Sequence, residues 1–158
     1  MVTFLLEHTR HTPRDFIMLL NHLKPFYKGR RFERAEVLSG LRDYSIKYFL
    51  PEIRDELSGY VGEDVIGSFI TAIGMMKKRL FDYTELFDTI NDLKTISKYD
   101  YEQLLHALYE CSAIGNRWRD TMRSPYKYEV KYRNRYSSIK FNQEMTLHQG
   151  LWKALNIA

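Results

Sequence analysis

The sequence predicts a mainly α-helical protein in which a helical subdomain, residues 1–60, precedes a second domain of three helices and a β-hairpin, residues 61–158. Two periodicities carry this prediction. Apolar residues recur every three or four positions through most of the chain, and at every second position near its end. Gly59 and Gly62 mark the boundary between the two parts. A chain of 158 residues is long enough for one compact domain or two small ones.

Helix signals fill the first subdomain. Thr12 is a good N-cap, Pro13 suits the first helical position, and Asp15 is placed to bond back to the cap. Pro25 ends this helix. Its apolar stripe is expected to contain Phe16, Ile17, Leu20 and Leu23.

A longer helix is predicted from Glu33 to Phe49, with a kink or restart at Pro51. Beyond Gly62, three shorter amphipathic helices follow, the second capped by Asp82 and the third by Asp100. None of them can bury its stripe alone, so we expect the three to pack together.

The period then changes from helical to alternating. Residues 126–133 alternate aromatic or apolar with charged side chains, which predicts a half-buried antiparallel strand. Residues 113–118 are its predicted partner, the loop 119–125 closes the hairpin, and residues 148–155 form a terminal helix. The order helix, strand, basic loop, strand is the outline of a winged helix, a fold used for DNA binding and for protein contacts.

Composition limits the setting. Cys111 is the single cysteine, so neither an intramolecular disulfide nor a CxxC metal site is available, and a cytoplasmic location is expected. The apolar runs are too short for a membrane anchor, so no membrane partner is expected. We also expect no metal and no cofactor.

Positive charge is concentrated late in the chain. Residues 111–158 contain 9 Lys/Arg and 3 Asp/Glu, whereas residues 61–110 contain 5 and 9. Such a cluster favours an anionic partner, with arginine suited to phosphate by its planar fork of donors. The predicted DNA-binding residues are Arg117, Arg119, Arg123, Lys127, Lys131, Arg133 and Arg135. Of these, Lys127, Lys131 and Arg133 should project together from one strand face.

The predicted third helix limits how DNA would be read. Its polar positions include Asp100, Glu102 and Glu110, and acidic side chains are repelled by phosphate. Contact with the DNA backbone, without sequence specificity, is therefore expected from the basic loop. The acidic helix and the many aromatics favour an alternative, a protein-interaction or oligomerisation module. A third hypothesis is a metal-dependent nuclease using Asp120, Glu129 and Lys131, because a carboxylate followed by ExK on a hairpin is one way to hold magnesium.

Two stretches resemble a known family. Residues 11–15, His-Thr-Pro-Arg-Asp before an apolar helix, resemble the helical lid after the nucleotide-binding core of bacterial P-loop ATPases related to the AAA+ and STAND groups. Residues 104–115 resemble the third helix and first wing strand of the winged helix that often follows such lids. Residues 148–155 are similar to the tails of such proteins. The resemblance implies a nucleotide-sensing role for Arg14, with Arg10 as a weaker choice.

The nucleotide-binding core of that family has no counterpart in the sequence. It contains no GxxxxGK[ST] phosphate loop and no strand ending in an acidic pair. The expected function is therefore a non-enzymatic regulatory or nucleic-acid-binding module. Its ATPase core would lie in the same or another polypeptide.

Overall fold

The computed structural model describes residues 2–29 and 31–157. The first part of the chain is helical. Its helices are α1 (Val2–Leu6), α2 (Pro13–Leu23), α3 (Arg34–Tyr44) and α4 (Leu50–Leu57), with a 3₁₀ turn at Lys24–Phe26 and a π-helical turn at Ser45–Phe49.

The start of α2 confirms the predicted cap, because the Thr12 hydroxyl accepts from the Asp15 amide at 3.1 Å. The predicted apolar stripe of α2 is wrong in part. Leu19 and Leu23 are buried, whereas Ile17 and Leu20 are 58% and 43% exposed. The reason is that the Asp15 carboxylate also points inward, and residues 15, 19 and 23 lie on one face at four-residue spacing.

The π-helical turn lies directly before Pro51, where a kink was predicted. Pro51 has no amide hydrogen, and its ring would collide with the carbonyl of Lys47 in a regular α-helix. The Leu50 amide donates instead to the carbonyl of Ser45, five residues back. The wider turn lets α3 and α4 continue through the proline as one bent rod.

Helix α8 (Gln149–Trp152) packs against this π-helical turn. The Ser45 hydroxyl donates to the Gly150 carbonyl at 2.5 Å and accepts from the Ala154 amide at 2.9 Å. A Cβ atom on Gly150 would lie 2.8 Å from the His8 carbonyl oxygen and 2.8 Å from the Phe49 ring. Only glycine allows this approach, so the end of the chain is fixed to its middle.

Three further helices follow, α5 (Glu63–Met76), α6 (Tyr83–Leu93) and α7 (Lys98–Glu110). Asp82 caps α6 as predicted, accepting from the Glu85 amide at 2.8 Å. The predicted cap of α7 is wrong. Ser97 is the N-cap, and Asp100 lies one turn inside, where its amide bonds the Ser97 hydroxyl at 3.1 Å.

The strands form one small antiparallel sheet in the order β1-β4-β2-β3. They are β1 (Leu80–Phe81), β2 (Ile114–Trp118), β3 (Lys127–Glu129) and β4 (Glu144–Leu147). β1 and β4 were not predicted. β4 is only four residues long, too short for a clear alternation, yet it lies between β1 and β2, and Met145 and Leu147 face the core.

One hydrophobic cluster joins buried side chains from both sides of residue 60, among them Leu41, Phe49, Leu104 and Leu151. The division into domains at residue 60 stays a prediction. Within the described residues, no helix has the length and apolar character needed to cross a lipid bilayer.

Gly150→Ala should lower the free energy of unfolding by about 2 kcal/mol, because the added methyl group overlaps the His8 carbonyl and the Phe49 ring. Urea denaturation measures the change. The matched control is Gly67→Ala in α5, where a Cβ meets nothing within 4 Å. It should raise stability by about 0.5–1 kcal/mol through helix propensity. Equal effects at the two sites would contradict the packing described for α8.

Candidate nucleic-acid interface

The basic segment, defined as residues 117–140, projects from one edge of the sheet. β3 pairs with β2 through Trp118 and Lys127, and no other strand of the sheet flanks it. β3 is shorter than predicted and ends at Glu129, because the chain then turns and the Arg133 amide bonds the Val130 carbonyl at 3.1 Å. Lys131 and Arg133 therefore lie in a turn, not with Lys127 on one strand face.

The aromatic residues in β3 and directly before it are more exposed than predicted. Tyr126 and Tyr128 are 43% and 52% exposed. As an edge strand beyond the packed helices, β3 has solvent near both faces, so the expected burial of its tyrosine face is wrong. The Tyr128 ring is open to a partner, whereas the Tyr126 ring is covered by the guanidinium groups of Arg117 and Arg119.

Three of the predicted DNA-binding cations are held in ion pairs. Arg117 Nε donates to Glu144 Oε2 at 2.5 Å, and the Arg117 guanidinium lies 3.9 Å from the centre of the Tyr126 ring. Lys127 pairs with Asp120 at 2.5 Å, and Lys131 with Glu110 at 2.7 Å. These pairs neutralise part of the charge that the sequence concentrates in this segment.

The other four cations differ. Arg119 donates to the Met122 carbonyl at 3.2 Å and is half-buried. Arg123, Arg133 and Arg135 are exposed, and no ion pair involves them within residues 2–29 and 31–157. Three arginines of the basic segment are therefore available to an anion without breaking an existing pair.

The residues of the nuclease hypothesis are engaged elsewhere. The Glu129 carboxylate accepts from Lys140 and from Asn134, both at 3.1 Å. Asp120 and Lys131 are each in their own ion pair. In the described part of the chain, no three His, Cys, Asp or Glu side chains are grouped so that they could hold a metal ion.

Helix α7 packs with its apolar face inward and exposes polar residues, among them Asp100, Gln103, His106 and Glu110. Two of these four carry negative charge. An acidic outer face is unsuited to the phosphate-lined approach to a DNA groove.

Arg14, the predicted nucleotide sensor, lies in the first turn of α2. Its side chain is 70% exposed, donates to Glu52 at 2.8 Å and lies 5.9 Å from the centre of the Tyr48 ring. An incoming phosphate would have to replace Glu52. The side chain of Arg10, the weaker choice, points into the protein interior.

A buried polar cluster holds Arg10. Arg10 Nε donates to Asp15 Oδ2 at 3.0 Å, and the Tyr48 hydroxyl donates to Asp15 Oδ1 at 2.9 Å. Glu56 also accepts from the Arg10 guanidinium. Asp15 is 1% exposed, and its pKa is lowered because the bonds and charge of Arg10 outweigh the effect of burial. The sequence pattern at the start of α2 predicts that the Asp15 side chain bonds back to the N-cap residue. Nothing in that pattern indicates that it pairs with Arg10.

His148 lies beside this cluster, with its Nδ1 accepting from the Gly150 amide at 3.0 Å and its ring stacked on Phe49 at 4.8 Å. Its Nε2 is buried and has no hydrogen-bond partner among the described residues. Burial, with a smaller contribution from nearby His8, lowers the pKa of His148 to about 3. Burial also lowers the pKa of His8. Both rings are therefore neutral in the folded protein near pH 7.

The comparisons with known proteins give no relative: no protein-family model, no curated protein and no solved structure matches the chain.

The buried histidines should make the protein acid-sensitive. The unfolded chain takes up a proton on His148 near pH 6.5, whereas the folded protein does so only near pH 3, so stability is full above 6.5 and falls as the pH drops towards 3. Between pH 7.5 and pH 5 the loss from His148 is about 2 kcal/mol, and His8 adds to it. Urea denaturation across this range measures the loss.

His148→Asn keeps an N-cap acceptor and should flatten this pH dependence, although His8 still contributes. His106→Asn, at an exposed position on α7, is the matched control and should leave the dependence unchanged. A free energy of unfolding that stays constant from pH 7.5 to 5 in the native protein would contradict the conclusion that His148 and His8 are buried as neutral rings.

Proposed function

We propose that the chain is a non-enzymatic nucleic-acid-binding module that contacts the DNA backbone through the exposed arginines of the basic segment. The observation that carries the proposal is the set Arg123, Arg133 and Arg135, which are exposed and free of ion pairs among the described residues. The exposed ring of Tyr128 lies in the same segment and offers a stacking surface.

A winged-helix architecture is part of the same proposal. Three helices, α5 to α7, precede β2, the basic segment and β4, and β1 pairs with β4 in the same sheet. This order supports a helical bundle closed by a sheet with a projecting wing. The acidic outer face of α7 supports binding through the wing, without reading of base edges.

We further propose that the module works with a P-loop ATPase core from the same or another polypeptide. The support is the resemblance of residues 11–15 to an ATPase lid, together with the exposed position of Arg14 at the start of α2. There the first-turn amides and Arg14 would both favour a phosphate.

A second candidate is a protein-interaction or oligomerisation module. The ion pairs of Arg117, Lys127 and Lys131 favour it, because they leave fewer unpaired positive charges in the basic segment than the sequence predicts. Met122 and Tyr136 favour it too, since they are 80% and 98% exposed. In this case duplex DNA would bind weakly and without dependence on the arginines.

Fluorescence anisotropy with a labelled random-sequence duplex tests the leading proposal. If three phosphates are contacted, log affinity should fall against log salt with a slope of about −3. Arg123→Ala combined with Arg135→Ala should weaken binding about tenfold at low salt and bring the slope towards −1.

The control with the same charge change is Arg31→Ala combined with Arg42→Ala, two exposed arginines of the first helical part. It should bind like the native protein. A flat salt response, or equal losses in the two double variants, would contradict contact through the basic segment and favour the protein-interaction module.

A further inference from the structure

A groove begins on the outer face of the sheet, at Leu80 and Thr146, and its second half lies between α1, α3 and α8. It consists of two neighbouring cavities of about 400 and 470 Å³ that share Arg79, Gln149 and Trp152 in their walls. One cavity reaches the basic segment, and the other reaches α1 and α3. The three shared residues place the two cavities side by side at α8.

The floor of the groove near the basic segment is made by outward-facing strand residues. Leu80 on β1 and Thr146 on β4 lie opposite each other, and Gly115 on β2 pairs with Thr146 on the other side. A Cβ on Gly115 would lie 2.4 Å from Val130 Cγ1, so the missing side chain lets Val130 lie on the strand and cover it. The floor is therefore mostly apolar.

Aromatic side chains occur along the whole groove. Tyr128 and Tyr132 lie at one end, Trp152 in the middle, and Phe32 and Phe4 at the other end. Tyr128 and Phe4 are 52% and 44% exposed. Tyr132, Phe32 and Trp152 are half-buried. Tyr128 and Phe4 are therefore the accessible rings of the kind on which bases stack.

Positive charges accompany the rings. The groove is lined by four cations that take part in no ion pair within the described ranges, namely Arg133, Arg79, Arg34 and Lys153. The Arg79 guanidinium lies 4.0 Å from the centre of the Trp152 ring. Glu7 is the one carboxylate among the described lining residues. Arg133 belongs to the basic segment as well, and the other three lie outside it.

We propose that this groove binds a single-stranded nucleic acid, with bases stacked on the exposed rings of Tyr128 and Phe4 and phosphates at the four cations. A single strand presents unstacked bases, whereas a duplex keeps its bases inside the helix. An acidic peptide would satisfy the cations but leave the row of rings without flat partners. The inference rests on the proposed function in that both assign a nucleic acid as ligand. The two surfaces share Arg133, but Arg123 and Arg135 line neither cavity of the groove, and Arg34 and Arg79 lie outside the basic segment.

Anisotropy with a labelled oligothymidylate of about 12 nucleotides tests the groove, a length within the usual range of single-strand sites. Four cations predict a slope of log affinity against log salt of about −3 for a single strand. Arg34→Ala combined with Arg79→Ala should weaken oligothymidylate binding about tenfold and leave duplex binding unchanged.

The double variant Arg123→Ala and Arg135→Ala is the reciprocal control. It should weaken duplex binding and spare the oligothymidylate, so failure of the groove and failure of the basic segment give different results. Loss of both ligands in the groove variant, with an unchanged urea midpoint, would overturn a separate single-strand site.

The stacking of bases on the rings of the groove can be tested separately from the charge contacts. Tyr128→Ala should weaken oligothymidylate binding about tenfold, whereas Tyr136→Ala, 98% exposed and outside the groove, should not. In a Trp118→Phe background, Trp152 is the only tryptophan, and its fluorescence should be quenched by the oligothymidylate. Unchanged fluorescence, or displacement of the oligothymidylate by polyglutamate of equal charge, would overturn the proposal and indicate an acidic-peptide surface.

Discussion

The burial of the Asp15 carboxylate is the constraint on which the rest of the structure depends. A charge that is 1% exposed is stable only when it is paired and fully hydrogen-bonded, and Arg10 and Tyr48 supply those bonds. Removing one partner of such a pair typically costs about 3–5 kcal/mol. Through Arg10 the cluster fixes the segment before α2, and through Tyr48 it fixes the π-helical turn. Ser45 in the same turn then holds α8, so both ends of the chain are tied to one helix.

Much of the fold is predictable from local signals. The caps at Thr12 and Asp82, and the interruption before Pro51, follow from the chemistry of single residues and from periodicity. The sheet was predictable only in its hairpin. β4 is too short for periodicity to detect, and its place between β1 and β2 depends on pairing over long sequence distances. The exposed faces of Ile17 and Leu20 were missed because a buried carboxylate redirects the helix that carries them.

The candidate site is likewise predictable from the sequence only in part. The cluster of cations between Arg117 and Lys140 is visible in the sequence, but their partners are not. Nothing in the sequence indicates that Glu110 pairs with Lys131 or that Glu144 pairs with Arg117, yet the structure contains both ion pairs. The groove combines residues from α1, α3, β1, the basic segment and α8, and no linear motif connects them. The sequence therefore indicates which part of the chain is basic, whereas the fold determines which of its charges remain free.

Amide hydrogen exchange with and without ligand tests the central claim that nucleic acid binds the basic segment and the sheet-face groove. We expect a duplex to slow exchange in residues 119–136, and an oligothymidylate to slow exchange around residues 79–81 and 149–153. Helix α7, with its acidic face, should exchange at the same rate in all samples. Slowed exchange concentrated in α7, or no change in any segment with either ligand, would contradict this account.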